Sequence, residues 1–396
     1  MSAKPLTLFE DAMRTVQGQA GFLGSERVSL EEAVDRILAE DIRSDIDMPP
    51  FDKSAMDGYA CRREDLAEVL SVIEIIPAGQ APTRQVGRGE CAQIMTGAGV
   101  PEGADCVVPV EVTESAGEGT VRFTGGDLRD NICRRAEDIR EGDILLRNGE
   151  RITPQAVAVL ATVGATTPLV ARRPLVAVMA TGNELVEPDM KPGTAQIRNS
   201  NGHQLREQVI KAGAMPRYLG IARDTEEDLN RMIGDAVSAN DVILLSGGVS
   251  MGKFDLVPGV LEKNGFDLLF SKIAVKPGKP TVFGVGSNTF CFGLPGNPVS
   301  TFVIFEIIVK PFLLKLMGHD YRPFVVPLRL AETVRRRKSN RDQWMPVERV
   351  GLDAVRAIEY HGSAHLNAMT EAEGLICMPR GSTEIEKGSI VNVRPI

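Results

Sequence analysis

The chain of 396 residues is 43% hydrophobic and 5% aromatic, a composition typical of a soluble globular protein. Its length exceeds one ordinary hydrophobic core and predicts roughly two to four domains. Its 53 acidic and 45 basic residues give a formal net charge of −8, which excludes a global electrostatic attraction to nucleic acid. Any anion site must therefore be built locally.

The cysteines and the apolar stretches further narrow the class of protein to which the chain can belong. The six cysteines include no CxxC pair and the four histidines show no metal-ligand spacing, which argues against a zinc site and a secreted disulfide framework. The N-terminal segment has no apolar signal-peptide core, and the most apolar stretch, 299–314, is interrupted by Glu306, Lys310 and Pro311. We expect a cytoplasmic protein with neither a membrane partner nor a nucleic-acid partner.

Helical signals open the chain and return after residue 150. Two capping-box patterns, 7–10 and 29–32, predict helices over 8–17 and 30–39, because the hydroxyl and the carboxylate satisfy each other's orphan N–H groups. A further helix is predicted over 154–163, where proline occupies the first helical position.

Signals of β structure fill the segment between these helices. Apolar and polar residues alternate after the proline-rich stretch 41–50, and glycine turns separate short apolar strands to about residue 134. We therefore predict a discontinuous linker domain of helices and strands, 1–44 with 135–172, that carries an inserted β domain, 45–134.

After residue 172 the pattern changes to alternating strand and helix. Strands that begin at residues 175, 215 and 241 alternate with helices that begin near residues 200 and 225, which predicts a parallel sheet with helices on both faces. We assign this α/β domain to 173–320. Short β segments separated by glycine turns predict a small C-terminal β-barrel over 321–396. The expected fold class is thus multidomain, α/β plus β.

Two strands of the α/β domain end in glycine turns that carry polar groups. In the stretch 241–255, DVILLSGGVSMGKFD, a buried strand is broken at once by Ser246-Gly247-Gly248. Open α/β sheets bind anionic ligands at such strand ends, because free backbone N–H groups and helix dipoles point there. We expect the turns at 181–184 and 246–250 to face one crevice, with Asp255 able to hold a divalent cation. The alternatives are a tight turn without a ligand and a helix cap at Asp255.

The segment Lys276-Pro-Gly-Lys279-Pro is the clearest basic feature. With about three residues per polyproline turn, both lysines project to the same side and can converge on one anion. Ser300 lies in the first turn of a predicted helix that opens at Asn297-Pro298, where the helix dipole also favours an anion. Two solvated surface lysines are the alternative. The basic run 335–338 is interpreted as a solvated hairpin.

Nine ordered motifs span the chain and together resemble one family. They are PPFDKSAMDGYA (49–60), IMTGAGVPEGAD (94–105), RRAEDIREGD (134–143), ATGNELVEP (180–188), NSNGHQL (199–205), SGGVSMGKFD (246–255), KPGKP (276–280), LPGNPVS (294–300) and GSAHL (362–366). Their set and order resemble the molybdopterin molybdenumtransferases, the MoeA and gephyrin E-domain family. The resemblance implies a molybdopterin-binding-like central domain.

The same resemblance implies an activity and its partners. The activity is insertion of molybdate into adenylylated molybdopterin, with Mg²⁺-dependent hydrolysis of the adenylate and release of AMP and the molybdenum cofactor. The implied partners are a second copy of the chain in an elongated homodimer and molybdopterin adenylyltransferase as the upstream enzyme. In such a dimer the inserted region lies over the cleft of the other protomer.

The resemblance also assigns roles to residues by matching motifs. The implied catalytic residues are Asp57, Thr96, Asp138, Glu184 and Asp255. The implied metal carboxylates are Glu184 and Asp255, with Asp241 in support. The implied pterin and nucleotide-phosphate residues are Thr181, Gly182, Asn199, Ser246, Gly247, Gly248, Ser250, Pro295 and Pro298. The implied molybdate residues are Lys276, Lys279, Pro280, Ser300, Arg341 and Ser363.

Three positions depart from the family pattern and leave other functions open. Asn183 stands where aspartate is common, Lys253 stands where an acidic or small residue is expected, and 340–344 matches the arginine-aromatic motif only loosely. A non-catalytic pterin-binding scaffold is one alternative, although the two metal carboxylates argue against it. A tungstate-preferring paralogue is another, since tungstate and molybdate are tetrahedral dianions of similar size. A nucleotide pyrophosphatase would leave the N-terminal and C-terminal modules unexplained.

Overall fold

The computed structural model describes residues 6–126, 129–249, 256–358 and 366–396. The chain forms two compact units. The large unit comprises Met1–Ala39, Gly149–Ile152 and Leu169–Ile396, and the small unit comprises Glu40–Asn148 and Thr153–Pro168. The boundaries of the four domains expected from the sequence stay predictions.

A six-stranded sheet forms the centre of the large unit. Its strands lie in the order Met215–Ala222, Leu175–Thr181, Val242–Ser246, Phe290–Leu294, Val282–Val285 and Asp267–Phe270. The first four strands are mutually parallel and the last two pair antiparallel. This arrangement confirms the predicted parallel sheet and adds an antiparallel edge, as is common in large α/β sheets.

Helices cover both faces of this sheet, because successive strand residues point to opposite sides. One face packs against the helices Phe9–Gln19 and Asn201–Lys211 and the helical run Pro298–Leu316. The other face packs against Glu226–Val237 and Val257–Lys263. The strand Val242–Ser246 is consequently buried along its whole length.

The helical run Pro298–Leu316 continues past Pro311, although proline inside a helix commonly kinks or ends it. It consists of an α-helix Pro298–Ile304, a π-helical turn Phe305–Val309 and an α-helix Lys310–Leu316. Proline lacks the N–H that would bond to the preceding turn, and a widened π turn accommodates such an interruption without ending the helix.

The C-terminal segment closes a five-stranded barrel, as predicted. The strands run in the order Asp342–Val350, Ala354–Ala357, Val326–Leu330, Ile390–Pro395 and Gly374–Met378, and the last strand pairs again with the first. The short strand Val275–Lys276 adds in parallel to residues Asp342 and Gln343 at the barrel edge. The basic segment is thereby fixed to the barrel by backbone hydrogen bonding.

The remaining elements of the large unit are short. Paired strands are Ser25–Arg27 with Leu169–Ala171, Leu185–Val186 with Ile197–Arg198, and Val334–Arg335 with Glu384–Ile385. A 3₁₀ helix covers Leu366–Met369. The helix predicted over 30–39 is wrong in its length, since it spans only Leu30–Ala33. Ile37 and Leu38 instead form β-bridges with Arg151 and Val170, which bury both side chains.

The small unit is built on a second six-stranded sheet. Its strands lie in the order Cys106–Pro109, Gly58–Cys61, Glu90–Ile94, Val69–Ile76, Thr120–Phe123 and Thr113–Gly117. Two strand pairs, Lys53–Ser54 with Ile132–Cys133 and Ile42–Arg43 with Ile144–Leu146, lie outside it. Short 3₁₀ helices cover Arg63–Asp65 and Val110–Val112. The predicted helix is present as Pro154–Thr162, where the Thr153 hydroxyl accepts a hydrogen bond from the Ala156 N–H at 3.2 Å.

Within the described ranges, no helix combines the length and the apolar character that crossing a membrane requires.

Candidate active site

A cavity of about 280 Å³ lies in the large unit where the parallel strands end. The strands Leu175–Thr181 and Val242–Ser246 both finish at this cavity, which we call the strand-end crevice. All predicted pterin and phosphate residues within the described chain line it, namely Thr181, Gly182, Asn199, Ser246, Gly247, Gly248, Pro295 and Pro298. Ser250, which completes that set, lies outside the described residues.

The glycines of the 246–248 turn are required by the close approach of the two strand ends. Gly247 has φ 102°, and a Cβ there would lie 2.3 Å from the Thr181 carbonyl oxygen. Gly248 has φ 64°, and its Cβ would lie 2.8 Å from a methyl group of Val257 and 2.9 Å from that of Thr181. Only glycine meets both requirements, so the turn brings bare backbone to the wall of the crevice.

Asn201 lies in the first turn of the helix Asn201–Lys211 and links two segments that line the crevice. Its Nδ2 donates to the Ser246 hydroxyl and to the Gly296 carbonyl oxygen, each at 2.7 Å. Its Oδ1 is buried and accepts no hydrogen bond from the described residues. A buried acceptor without a partner is destabilising, and a donor group on a bound ligand would satisfy it.

Asn199 is held by a chain of hydrogen bonds that leads out of the crevice. Its Nδ2 donates to the Tyr218 hydroxyl at 2.8 Å, and that hydroxyl donates to Glu187 Oε1 at 2.8 Å. Its Oδ1 accepts from the Gly202 N–H at 3.0 Å. Burial, and then the Glu187 carboxylate, raise the pKa of Tyr218, which keeps its hydroxyl protonated as the donor in this chain.

Asp224 follows the third parallel strand that ends at the crevice, Met215–Ala222. Its Oδ1 accepts from the Thr181 hydroxyl at 2.6 Å and its Oδ2 accepts from the Asn183 N–H at 3.2 Å. The Asn183 Oδ1 accepts in return from the Asp224 N–H at 3.2 Å. Asn183, which departs from the family pattern, therefore braces the Asp224 turn.

Glu184 and Asp224 are the two carboxylates that line the crevice among the described residues. Glu184 lies over Gly182, where a Cβ would stand 2.8 Å from each carboxylate oxygen. The described ranges contain no group of three or more His, Cys, Asp or Glu side chains arranged for a metal ion, and Asp255 lies outside them. The oxygen donors nevertheless fit Mg²⁺, which is commonly bound by one or two carboxylates together with water and substrate phosphates.

Asp241 occupies a different place from the one that a metal role requires. It precedes the strand Val242–Ser246 and so lies at the opposite end of that strand from Gly247. Its two carboxylate oxygens accept from Arg172 at 2.8 and 3.0 Å, and Oδ2 also accepts from the Leu175 N–H at 2.8 Å. The predicted support of the metal by Asp241 is corrected accordingly, since a strand of five residues separates it from the crevice by about 16 Å.

A larger cavity of about 750 Å³ lies next to the crevice, and Pro280 and Pro295 line both. All predicted molybdate residues within the described chain line it, namely Lys276, Lys279, Pro280, Ser300 and Arg341. We call it the oxyanion cavity. Arg341 is included although its motif matches the family pattern only loosely. Ser363 lies outside the described residues, as does Lys253.

The two lysines converge for a different reason from the one that the sequence suggested. Gly278 between them has φ 114°, whereas a polyproline helix requires φ of about −75°. Lys276 instead belongs to the strand paired with the barrel, and Gly278 turns the chain back. A Cβ on Gly278 would lie 2.4 Å from the side chain of Ile304, so the turn rests directly on the helix that carries Ser300.

The oxyanion cavity is electrostatically prepared for an anion. Burial, together with the positive charges of Arg341 and Arg336, lowers the pKa of Lys276. Burial and Arg336 likewise lower the pKa of Arg341. In the part of the chain that the structure describes, neither of these side chains nor Lys279 has a carboxylate partner within 4.0 Å. A bound dianion would relieve the repulsion among these cations.

In the small unit, Asp57 and Thr96 form one hydrogen-bonded pair. The Asp57 Oδ1 accepts from the Thr96 N–H and from the Thr96 hydroxyl, each at 2.7 Å. The Thr96 N–H, and then its hydroxyl, hold the pKa of Asp57 below its usual range. Both side chains are exposed, as is Asp138, whose N–H donates to the Met48 carbonyl oxygen at 3.1 Å.

Comparison with known proteins identifies the family. Three family models match in order: MoeA N-terminal region (domain I and II) over 7–164, probable molybdopterin binding domain over 177–315, and MoeA C-terminal region (domain IV) over 328–396. A molybdopterin molybdenumtransferase of Bacillus subtilis is 36% identical over 393 residues, which cover 93% of this chain and 89% of that protein. The chain belongs to the molybdopterin molybdenumtransferase family. A second family member, from Haemophilus influenzae, is 34% identical over 380 residues, with 94% of each chain covered.

Solved structures support the family assignment over the whole chain. A molybdopterin biosynthesis MoeA protein of Pyrococcus horikoshii superposes with a TM-score of 0.83 at 34% identity, covering 99% of each chain. A second structure from that organism gives a TM-score of 0.87 at 28% identity, covering 99% of this chain and 100% of that one. The resemblance and the fold class predicted from the sequence are thereby confirmed.

The sequence analysis did not identify three residues that form hydrogen bonds in or next to the strand-end crevice. Asp224 follows a predicted strand, and the strand-end argument used for the other two turns would have found it. Asn201 lies inside the quoted motif 199–205, but its unpaired oxygen is visible only in the structure. Tyr218 meets Asn199 across the sheet, and no local pattern in the sequence indicates that contact.

Proposed function

We propose that the chain is a molybdenum insertase that transfers molybdenum from molybdate to molybdopterin. The observation that carries this proposal is the pair of adjoining cavities, one with bare backbone and two carboxylates and the other with four cationic side chains against one carboxylate, Glu332. Pro280 and Pro295, which line both, would separate the pterin from the oxyanion by the width of one wall. Shared family membership supports the same activity, since the relatives are molybdopterin molybdenumtransferases.

We further propose that the substrate is adenylylated molybdopterin and that its pyrophosphate lies in the strand-end crevice. The backbone of Gly247 and Gly248 can approach phosphate oxygens closely, as bare turns at strand ends do. Asn199 and the free Oδ1 of Asn201 would orient the ligand by hydrogen bonds. In the hydrolysis, water would add its oxygen to one phosphorus while the bridging phosphorus–oxygen bond breaks, giving AMP and molybdopterin.

Magnesium fits this proposal as the resident cation. Glu184 and Asp224, with Asp255 by family resemblance, would hold it, and when bound it would neutralise charge on the pyrophosphate. The protein's own contribution is to fix the Asp224 carboxylate, through the Thr181 and Asn183 hydrogen bonds to it. Lys276, Lys279 and Arg341 would hold molybdate in the neighbouring cavity, close to the pterin sulfur atoms.

The direct test supplies purified protein with adenylylated molybdopterin, Mg²⁺ and molybdate. The expected result is release of AMP and formation of molybdenum cofactor that reconstitutes an apo-molybdoenzyme. A scaffold protein would bind the pterin and release no AMP. Repeating the assay with tungstate in place of molybdate measures which oxyanion the protein prefers.

Lysine variants test the division of labour between the two cavities. Lys276→Ala and Lys279→Ala should each raise the molybdate concentration needed for half-maximal rate by about tenfold to a hundredfold, because each removes a charge-assisted contact. Pterin affinity should stay within about twofold of wild type, because neither lysine lines the strand-end crevice. An equal loss of pterin affinity would move the lysines to the nucleotide phosphates.

We also propose the remaining features that family resemblance implies. These are a homodimer, a cytoplasmic location, and supply of the adenylylated substrate by molybdopterin adenylyltransferase. Asp57, Thr96 and Asp138 are proposed as catalytic residues on the same grounds.

A further inference from the structure

Three of the six cysteines lie side by side in the sheet of the small unit. Cys61, Cys91 and Cys106 belong to three neighbouring strands of that sheet. Cys61 is in the middle strand, and it is the register partner of Cys91 on one side and of Cys106 on the other. Directly opposed residues of a sheet point to the same face, so the three side chains form one row, which we call the thiol row.

Cys61 and Cys106 are close enough to be joined by a covalent bond. Their sulfur atoms lie 3.7 Å apart, and both residues are free thiols. Opposed residues of antiparallel strands have Cα atoms about 4.5–5.5 Å apart, which lies inside the range of about 4.4–6.8 Å found across disulfides. The backbone geometry of the sheet therefore permits a disulfide between these two residues.

The hydrogen bond between the two thiols makes them chemically unequal. It raises the pKa of Cys61 and lowers the pKa of Cys106, so Cys106 ionises first. Burial raises the pKa of Cys91 to about 12, which keeps that thiol protonated. Because the thiolate is the form that attacks an oxidant, Cys106 is the reacting sulfur and Cys61 is the thiol that stands beside it.

The thiol row is fully buried, and one short turn packs against it. Cys61 is the last residue of its strand, and the 3₁₀ helix Arg63–Asp65 begins two residues later. Leu66, which ends this helix, packs against the apolar cluster that contains the three cysteines. Short elements with few buried contacts open locally at the lowest free energies. A small oxidant can therefore reach the sulfur atoms when this turn opens, whereas the rest of the sheet stays folded.

We propose that Cys61 and Cys106 are a modification site for hydrogen peroxide, which converts them into a reversible disulfide. The Cys106 thiolate attacks one peroxide oxygen and the oxygen–oxygen bond breaks, which gives a sulfenic acid and a hydroxide that takes up the proton lost by Cys106. The Cys61 sulfur then attacks the sulfenic sulfur, and the hydroxyl group leaves as water with the Cys61 proton. Two thiols and one peroxide thus give one disulfide and two waters. Disulfides in reducing compartments are usually transient and redox-sensing, which fits a bond that a dithiol can reverse.

The thiol row shares its strands with the Asp57–Thr96 pair. Asp57 precedes the strand that ends at Cys61, and Thr96 follows the strand next to it. The strand that begins at Cys106 leads to Val110, whose N–H donates to the Asp57 carbonyl oxygen at 3.2 Å. About 13 Å of extended chain separates the two ends of these strands. Because close-packed interiors transmit displacements, joining the sulfur atoms should shift Asp57. This effect on activity rests on the proposed function, whereas the disulfide does not.

The test exposes the full chain to hydrogen peroxide and locates any disulfide by alkylation under denaturing conditions and peptide mass mapping. Wild-type protein should lose two alkylatable thiols and join residues 61 and 106. Cys61→Ala should form no disulfide, because Cys91 and Cys106 lie about 10 Å apart on strands that are not neighbours. Cys91→Ala is the matched control, which removes a buried thiol of the same row and should still join residues 61 and 106. A fully reduced row in peroxide-treated wild type would overturn the site, and this measurement depends on no variant.

A rate measurement tests the effect on Asp57 separately. Oxidised wild-type protein should release AMP about tenfold more slowly than reduced protein, because small displacements of reacting groups are costly, and dithiothreitol should restore the rate. Cys61→Ala should keep its rate after the same peroxide treatment. An unchanged rate in fully oxidised wild type would overturn the coupling between the thiol row and Asp57. If the insertase activity itself were absent, the mapped disulfide would still decide whether the modification site exists.

Discussion

Asp224 is the residue whose position in the crevice most changes the chemistry expected from the sequence. Its carboxylate lies beside Glu184 in the crevice, and two donors hold it in one orientation. Asp241, which the sequence placed near the metal, instead closes a bidentate ion pair with Arg172. We therefore expect neutralisation of Asp224 and neutralisation of Asp241 to have different effects on the protein.

We predict that Asp224→Asn raises the Mg²⁺ concentration needed for AMP release by about tenfold to a hundredfold, the effect of losing one charged contact. Its melting temperature should fall less than that of Asp241→Asn, because Asp224 accepts two of the hydrogen bonds described above and Asp241 accepts three. Asp241→Asn is the matched control, and it should lower the free energy of unfolding by about 1–3 kcal/mol while the Mg²⁺ requirement stays unchanged. Magnesium titrations and thermal unfolding of both variants check this. An altered Mg²⁺ requirement in Asp241→Asn would restore its predicted metal role.

Tyr218 acts through Asn199 and is a positioning residue. We predict that Tyr218→Phe raises the KM for the pterin substrate by about fivefold to tenfold, equivalent to one lost hydrogen bond, with a smaller change in kcat. The control is Tyr321→Phe, whose hydroxyl accepts from Arg394 at 3.4 Å and lies outside the crevice. Steady-state kinetics, measured against the pterin substrate and against molybdate, separates an effect on KM from an effect on kcat. A fall in kcat at constant KM would contradict the positioning role.

At the scale of elements, the turn between the two lysines fixes the oxyanion cavity. We predict that Gly278→Ala raises the molybdate requirement at least tenfold and destabilises the fold, because the added Cβ meets Ile304 at a positive φ. Gly351→Ala is the matched control, with φ 70° and no atom within 4 Å of the added Cβ, so it reports the backbone effect alone. Equal losses of stability in the two variants, with an unchanged molybdate requirement in Gly278→Ala, would contradict a steric effect of Ile304.

Local sequence patterns predicted the strands of the central sheet and the turns at which two of these strands end. Strands at 175 and 241 end where their glycine turns indicated, and the described residues assigned by motif to the pterin and to molybdate line two adjoining cavities. Contacts between distant segments were not predictable. Ile37 and Leu38 leave the helical pattern because Arg151 and Val170 offer β-bridges, a tertiary effect that overrides local propensity. The charges of Arg336 and Arg341 meet Lys276 only because the barrel closes.

At the scale of the whole molecule, family resemblance implies a homodimer with sites formed from two chains. We predict that Asp57→Asn and Glu184→Gln are each inactive, and that mixing, unfolding and refolding them together restores about a quarter of wild-type activity. About half of the dimers would be mixed, and each would hold one site with both carboxylates. Mass measurement of the refolded protein checks that mixed dimers have formed. No recovery despite mixed dimers would rule out the shared site and leave Asp57 acting within its own chain or only structurally.

The strand Val275–Lys276 ties the barrel to the lysine segment by backbone hydrogen bonds. A chain that stopped after the central sheet would keep the residues that line the strand-end crevice and would leave the edge at Val275 unpaired. Such a fragment would keep the surface that faces the pterin while losing Arg341 and the barrel wall that hold the oxyanion. The barrel is thus the part of the chain that adds Arg341 and a wall of the oxyanion cavity to a sheet that already carries the strand-end crevice.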